Sequence, residues 1–101
     1  MLVTLRQLQY VVAVADLQSF SKGAEFCSAE QSTVSHQVKQ VEEKLGLKIF
    51  VKSSHPIKLT DEGKIVVEQA RYILNKVDEL IAPFKNPAPN ALEKFVVNQS
   101  Q

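Results

Sequence analysis

One hundred and one residues, 45% of them hydrophobic, suit one small globular domain with a thin core that a second copy would help to cover. No stretch approaches the ~18 consecutive apolar residues of a spanning helix, and the start MLVTLRQLQYVV has neither the basic region nor the cleavage site of a signal peptide. The single cysteine, Cys27, excludes an intrachain disulfide, so no membrane partner and a cytoplasmic setting are expected.

Thr4-Leu5-Arg6-Gln7 has the pattern of a capping box and predicts a first helix over about Leu5 to Asp16. Its stripe is Leu5, Leu8, Val12 and Ala15, widened by Val11 and Val14. Ser21 is expected to cap a short second helix, Lys22 to Cys27. Gly23-Ala24 would allow a close crossing there, with Phe26 as core anchor and Cys27 as a buried small hydrophobe. Ser28-Ala29-Glu30 reads as a turn, in which Ser28 and Gln31 would make another capping box.

Gln31 to Gly46 is the stretch on which the rest turns. Val34, Val38, Val41 and Leu45 recur at steps of four, three and four, the period of one helical face. Ser32, His36, Lys39 and Glu43 lie roughly opposite, with Gln31 and Ser35 at their flank. Amides, hydroxyls and a cation are what a helix needs to read base edges in a major groove. Taken alone, the same pattern describes an ordinary surface helix. The short helix and tight turn before it make the helix-turn-helix reading the stronger one.

Gly46 stands where a helix C′ glycine belongs. Residues 47–52 and 57–60 then read as two strands around the turn Ser53-Ser54-His55-Pro56, with Phe50, Ile57 and Leu59 facing inward. Thr60 is placed to cap a last helix, with Asp61 and Glu62 at its positive end. That helix is expected to stop at Ala82, before Pro83. Val66, Ala70, Ile73, Val77 and Leu80 form a heptad-like seam along it, which a partner copy or an intramolecular surface could cover. Residues 83–101 read as a Pro-containing linker, one turn or short strand over 91–97, and a frayed end.

The net charge of +1 is unevenly spread: residues 1–60 carry seven bases against five acids, and residues 61–82 three against five. Lys48, Lys52 and Lys58 stand in a segment without acids, so a nucleic-acid surface is expected there and at Lys22 and Lys39. No phosphate loop, CxxC or HExxH occurs, and neither His36 nor His55 has a metal-ligand spacing. No enzyme activity, metal or cofactor is expected.

The ordered set Ser19-Phe20-Ser21-Lys22-Gly23-Ala24, Gln31-Ser32-Thr33-Val34-Ser35-His36-Gln37-Val38, Val41-Glu42, Leu45-Gly46, Ile49-Phe50 and Leu59-Thr60-Asp61-Glu62-Gly63 resembles the DNA-binding domain of LysR-type transcriptional regulators. The resemblance runs from Leu5 to about Leu80. It implies a mainly α fold, a winged helix-turn-helix of three helices and a two-stranded wing over 1–60. A linker helix for dimerisation would follow over 61–82, and a tail over 83–101. It implies base reading by Gln31, Ser32, Ser35 and His36. Thr33, Lys39, Lys52, Ser53 and His55 would serve bases or phosphates, and Lys22 a phosphate. Double-stranded DNA and a second copy are the partners implied.

The chain also departs from the family pattern. Glu30 replaces the usual Ser or Thr; phosphates repel a carboxylate, and a cytosine amino group can satisfy it. Cys27 and Ala29 replace larger apolars, and Lys52 and His55 replace wing arginines. The family usually continues into a two-lobed effector domain, of which no counterpart follows Pro83. An excised fragment and a short sensor-less regulator both fit, and the tail's character favours the second. The competing function is an interaction protein that heterodimerises through the seam with a full-length regulator or another protein. A structural helical domain without DNA contact is a third reading.

Overall fold

The computed structural model describes residues 2–85. The elements are α1 (Leu5–Leu17), α2 (Phe20–Phe26), α3 (Gln31–Leu45), β1 (Phe50–Val51), β2 (Lys58–Leu59) and α4 (Asp61–Lys85). This is the expected mainly helical order, with a two-stranded wing before the long helix. The expected features of residues 86–101 lie outside the described residues.

The capping box forms at the start of α1. Thr4 Oγ1 accepts from the Gln7 amide at 3.1 Å, and Gln7 Oε1 accepts from the Thr4 amide at 2.9 Å. Gln7 does more than cap. It is buried, and its Nε2 donates to Gln37 Oε1 at 2.9 Å and to Gln40 Oε1 at 3.3 Å, so one satisfied amide joins α1 to α3. On the inward face of α1 the expected Leu8, Val11 and Val14 are buried together with Tyr10, while Val12 and Ala15 are half-buried and Leu5 is exposed. The face is set by α2: a Cβ at Gly23 would lie 2.9 Å from Val14 Cγ2, so the missing side chain lets the two helices close at Val14.

Helix α2 starts earlier than expected. Ser19, not Ser21, is its N-cap, and Ser19 Oγ accepts from the Lys22 amide at 3.1 Å. The shift brings Phe20 into the helix, where it packs edge-on against Phe50 with ring centroids 5.5 Å apart. Phe20, Gly23, Ala24 and Cys27 share the inward face at steps of three, one and three. Phe26 falls off that face and is 75% exposed, so the expected anchor is the wrong phenylalanine. Cys27 is half-buried, and burial pushes its thiol pKa up from the ordinary value.

The turn before α3 uses Ser28 in the left-handed region, at φ 54°. That conformation removes it as a cap, which needs extended backbone. The N-cap is Glu30, and it makes no side-chain capping bond. Val34, Val38 and Val41 are fully buried, each contributing about 1.5–3 kcal/mol. Leu45, the fourth member of the expected stripe, is at the helix end and exposed. Gly46 ends α3 at φ 70°, with its amide donating to the Glu42 carbonyl.

The wing is shorter than its sequence pattern, with only Phe50↔Leu59 and Val51↔Lys58 paired, antiparallel. It is held from outside. The Ile57 amide donates to the Gln18 carbonyl at 3.0 Å, and buried Glu42 accepts the Ile49 amide on Oε2 at 2.8 Å. Glu42 lies four residues after Val38 on the inner side of α3, so a charge within an apolar stripe was the signal for this role. Thr60 Oγ1 caps α4 through the Gly63 amide at 2.9 Å and donates to the Lys48 carbonyl. A Cβ at Gly63 would collide with the Ile49 carbonyl, so glycine is what lets α4 start beneath the wing.

Helix α4 runs through Pro83 to Lys85, past its expected stop at Ala82. Proline's fixed φ is helical, so the helix can pass it at the loss of one amide bond. Val67 and Ala70 are buried, and Arg71 pairs with Asp16 of α1 through both guanidinium nitrogens. That bond raises the guanidinium pKa further, against a smaller desolvation effect. About 37 Å long at ~1.5 Å per residue, α4 continues well past its last buried residue, Ala70.

Candidate nucleic-acid interface

Helix α3 is rigidly seated by its three buried valines, and its remaining faces are polar. Ser32, Thr33, His36 and Lys39 are all exposed along it, and Ser35 is half-buried. No large apolar side chain interrupts this row before Leu45. Side chains held on a packed helix are positioned to within its own small motions, which is what base reading needs.

The wing folds back beside the start of α3. Gln31 and Ser35 from α3, Lys52 and His55 from the wing, and Ser19 and Ser21 from the head of α2 line one open cleft of about 330 Å³. Phe20 and Ile57 form part of its wall, and Lys52 Nζ stands 5.8 Å from the Phe20 ring centroid. The cation is thus held over an aromatic face at the mouth of the cleft. Ser54 braces the wing tip, accepting the Lys58 amide at 3.1 Å and donating to the Val51 carbonyl at 2.9 Å.

The structure therefore brings together Gln31, Ser35, Lys52 and His55 and leaves Ser32, Thr33, His36 and Lys39 on the open face beside them. Lys22 is exposed on α2, and Ser53 is exposed at the wing tip. Ser19, Ser21 and Gln18 join the cleft without having been singled out as site residues. Their signal was the Ser-Phe-Ser triplet, whose aromatic member carries both hydroxyls to the wing.

The seam of α4 divides. Ile73 and Leu80 are exposed, at 40% and 65%, and Val66 and Val77 are half-buried. Ala70, the fifth member, is 1% exposed within the single chain. Ile65, Tyr72, Ile81 and Phe84 add exposed apolar surface along the same helix. Among the described residues no helix is long and apolar enough to cross a membrane.

The family model for bacterial regulatory helix-turn-helix proteins of the lysR family matches residues 5–64. The chain is 37% identical over 92 residues to the HTH-type transcriptional regulator BenM of Acinetobacter baylyi (strain ATCC 33305 / BD413 / ADP1), covering 91% of itself and 30% of that protein. It is 33% identical over 78 residues to the DNA-binding transcriptional dual regulator OxyR of Escherichia coli (strain K12), covering 77% of itself and 26% of OxyR. The chain thus spans less than a third of the length of these curated relatives. Among solved structures, the BenM DNA-binding domain in complex with catB site 1 DNA superposes with TM-score 0.77 at 36% identity, over 81% of this chain and 88% of that one. Vibrio fischeri DarR in complex with DNA gives 0.78 at 27% identity, over 85% of this chain and 30% of that one.

Proposed function

The chain belongs to the LysR family of bacterial regulatory helix-turn-helix proteins, and on that premise we propose that it is a sequence-specific transcriptional regulator acting as a homodimer. The observation that carries this reading is the polar face of α3 meeting Lys52 and His55 of the wing at one cleft. Gln31–Leu45 enters the major groove, with Gln31, Ser32, Ser35 and His36 at the base edges. Lys39 and Thr33 reach bases or the flanking backbone. Lys52, Ser53 and His55 place the wing on the backbone or in the neighbouring minor groove, and Lys22 takes a phosphate. Two copies pair through Val66, Ile73, Val77 and Leu80 of α4. The setting is the cytoplasm, where the DNA is, and the work is binding, without catalysis.

A second reading rests on α4 alone. Its exposed apolar face fits the matching helix of a longer regulator as well as a second copy, and the resulting heterodimer would modulate that regulator. This reading needs the seam and does not need His36 or Lys39.

The test is a titration of the purified chain against a pool of random duplexes at two salt concentrations, with sequencing of what is retained. An inverted-repeat motif with a steep salt slope is expected, since each neutralised phosphate adds to that slope. Retention of nothing, or of all sequences equally, would contradict the reading and favour the heterodimer.

A further inference from the structure

The side chain of Glu30 has no role in the fold, although the residue's carbonyl accepts the Val34 amide at 3.1 Å. It is the N-cap of α3, with φ −78° and ψ 147°, yet its side chain makes no capping bond. Among the described residues it has no ion pair or side-chain hydrogen bond, and it is exposed. Serine, threonine or aspartate at this position would accept from the amides of the first turn; the longer glutamate leaves them to solvent. It is also the only acid in residues 30–39, immediately before Gln31 at the cleft.

On a surface that approaches phosphates, a free carboxylate is a liability unless it finds a donor. In the major groove, cytosine offers its N4 amino group with no acceptor of its own beside it, whereas adenine sets the acceptor N7 next to its N6 amino group, guanine presents the acceptors O6 and N7, and thymine presents O4. A carboxylate accepts cleanly from cytosine, accepts from adenine only against the repulsion of N7, and is repelled by guanine and thymine. The N-terminal residues of a recognition helix are the ones that meet base edges. We infer that Glu30 is a specificity residue that selects cytosine at the half-site position facing the head of α3. It does so as much by rejecting guanine and thymine as by attracting cytosine. This inference rests on α3 being the groove-facing helix.

The experiment repeats the random-duplex selection with the native chain, Glu30→Gln and Glu30→Ser, the last restoring a capping side chain. It then measures binding to duplexes differing only at the selected position. Circular dichroism confirms that each variant keeps its helix. The native motif is expected to carry a C·G pair at one position per half-site, with roughly tenfold weaker binding when it is replaced. Glu30→Gln, which can pair bidentately with adenine, is expected to shift that position to A·T and leave the others intact. Glu30→Ser is expected to lose the preference there while binding the rest of the motif. An unchanged motif in both variants, with equal gains for every sequence, would overturn the inference and leave Glu30 as a charge that only repels phosphate. If the native chain selects no motif, the groove reading itself fails, and this inference with it.

Discussion

Helices α3 and α4 are both amphipathic, and the chain uses them in opposite ways. Helix α3 buries Val34, Val38 and Val41 completely in its own core and turns polar groups outward. Helix α4 buries Val67 and Ala70 near its start and leaves Ile73, Leu80 and Ile81 exposed further along. An outward polar face fits a hydrated, hydrogen-bonding surface such as a groove. An outward apolar face fits another protein surface, because apolar area is stabilised by leaving water. One fold thus presents two chemically distinct surfaces, which the proposed function assigns to DNA and to a second copy.

The comparison breaks most completely from the inside. Val38→Asp would bury an unpaired charge beneath α3 and is expected to cost more than about 4 kcal/mol, unfolding the domain in a denaturant titration. Retained cooperative unfolding near the native midpoint would show that α3 is not seated as described. The double change Ile73→Glu with Leu80→Glu acts on the other helix. Both side chains are exposed, so thermal stability of the monomer should barely move. Sedimentation should show a monomer, and affinity for a two-half-site duplex should fall about 100-fold as the effective concentration of the second domain is lost.

Smaller changes sharpen the α3 side. Ser35→Ala and His36→Ala are each expected to remove about 1–3 kcal/mol of discrimination at one base position, read as a changed motif in a selection. Lys52→Ala should weaken all duplexes alike and lower the salt slope by about one. If Lys52→Ala changed the preferred sequence and left general affinity intact, the wing would be a reader and its phosphate role would be wrong.

Much of this was legible in the sequence where one residue makes one local bond. The Thr4–Gln7 box, Gly46 at the end of α3 and the Thr60 cap need only neighbours within a few positions. What was not legible depends on distant partners. Phe20 rather than Phe26 enters the core because Phe50 waits for it, and that choice moves the cap from Ser21 to Ser19. Glu42 serves amides that arrive from β1, and Gly63 is required by the Ile49 carbonyl above it. At the candidate site, residue types along α3 could be read off periodicity. The convergence of Gln31 and Ser35 with Lys52, His55 and the α2 serines could not, because it depends on the wing folding back onto Gln18. Ala70 lies in the apolar stripe of α4, but spacing alone does not say which members of that stripe are already buried within the single chain.

The most direct test of the division between the two helices is a footprint of the chain on a duplex bearing its selected site, run for the native protein and for the Ile73→Glu, Leu80→Glu double variant at the same concentration. The account predicts two protected half-sites, separated by about one helical turn or a multiple of it, that fade together in the variant while its fold persists. A single protected segment, or two that survive the loss of the α4 surface unchanged, would contradict it.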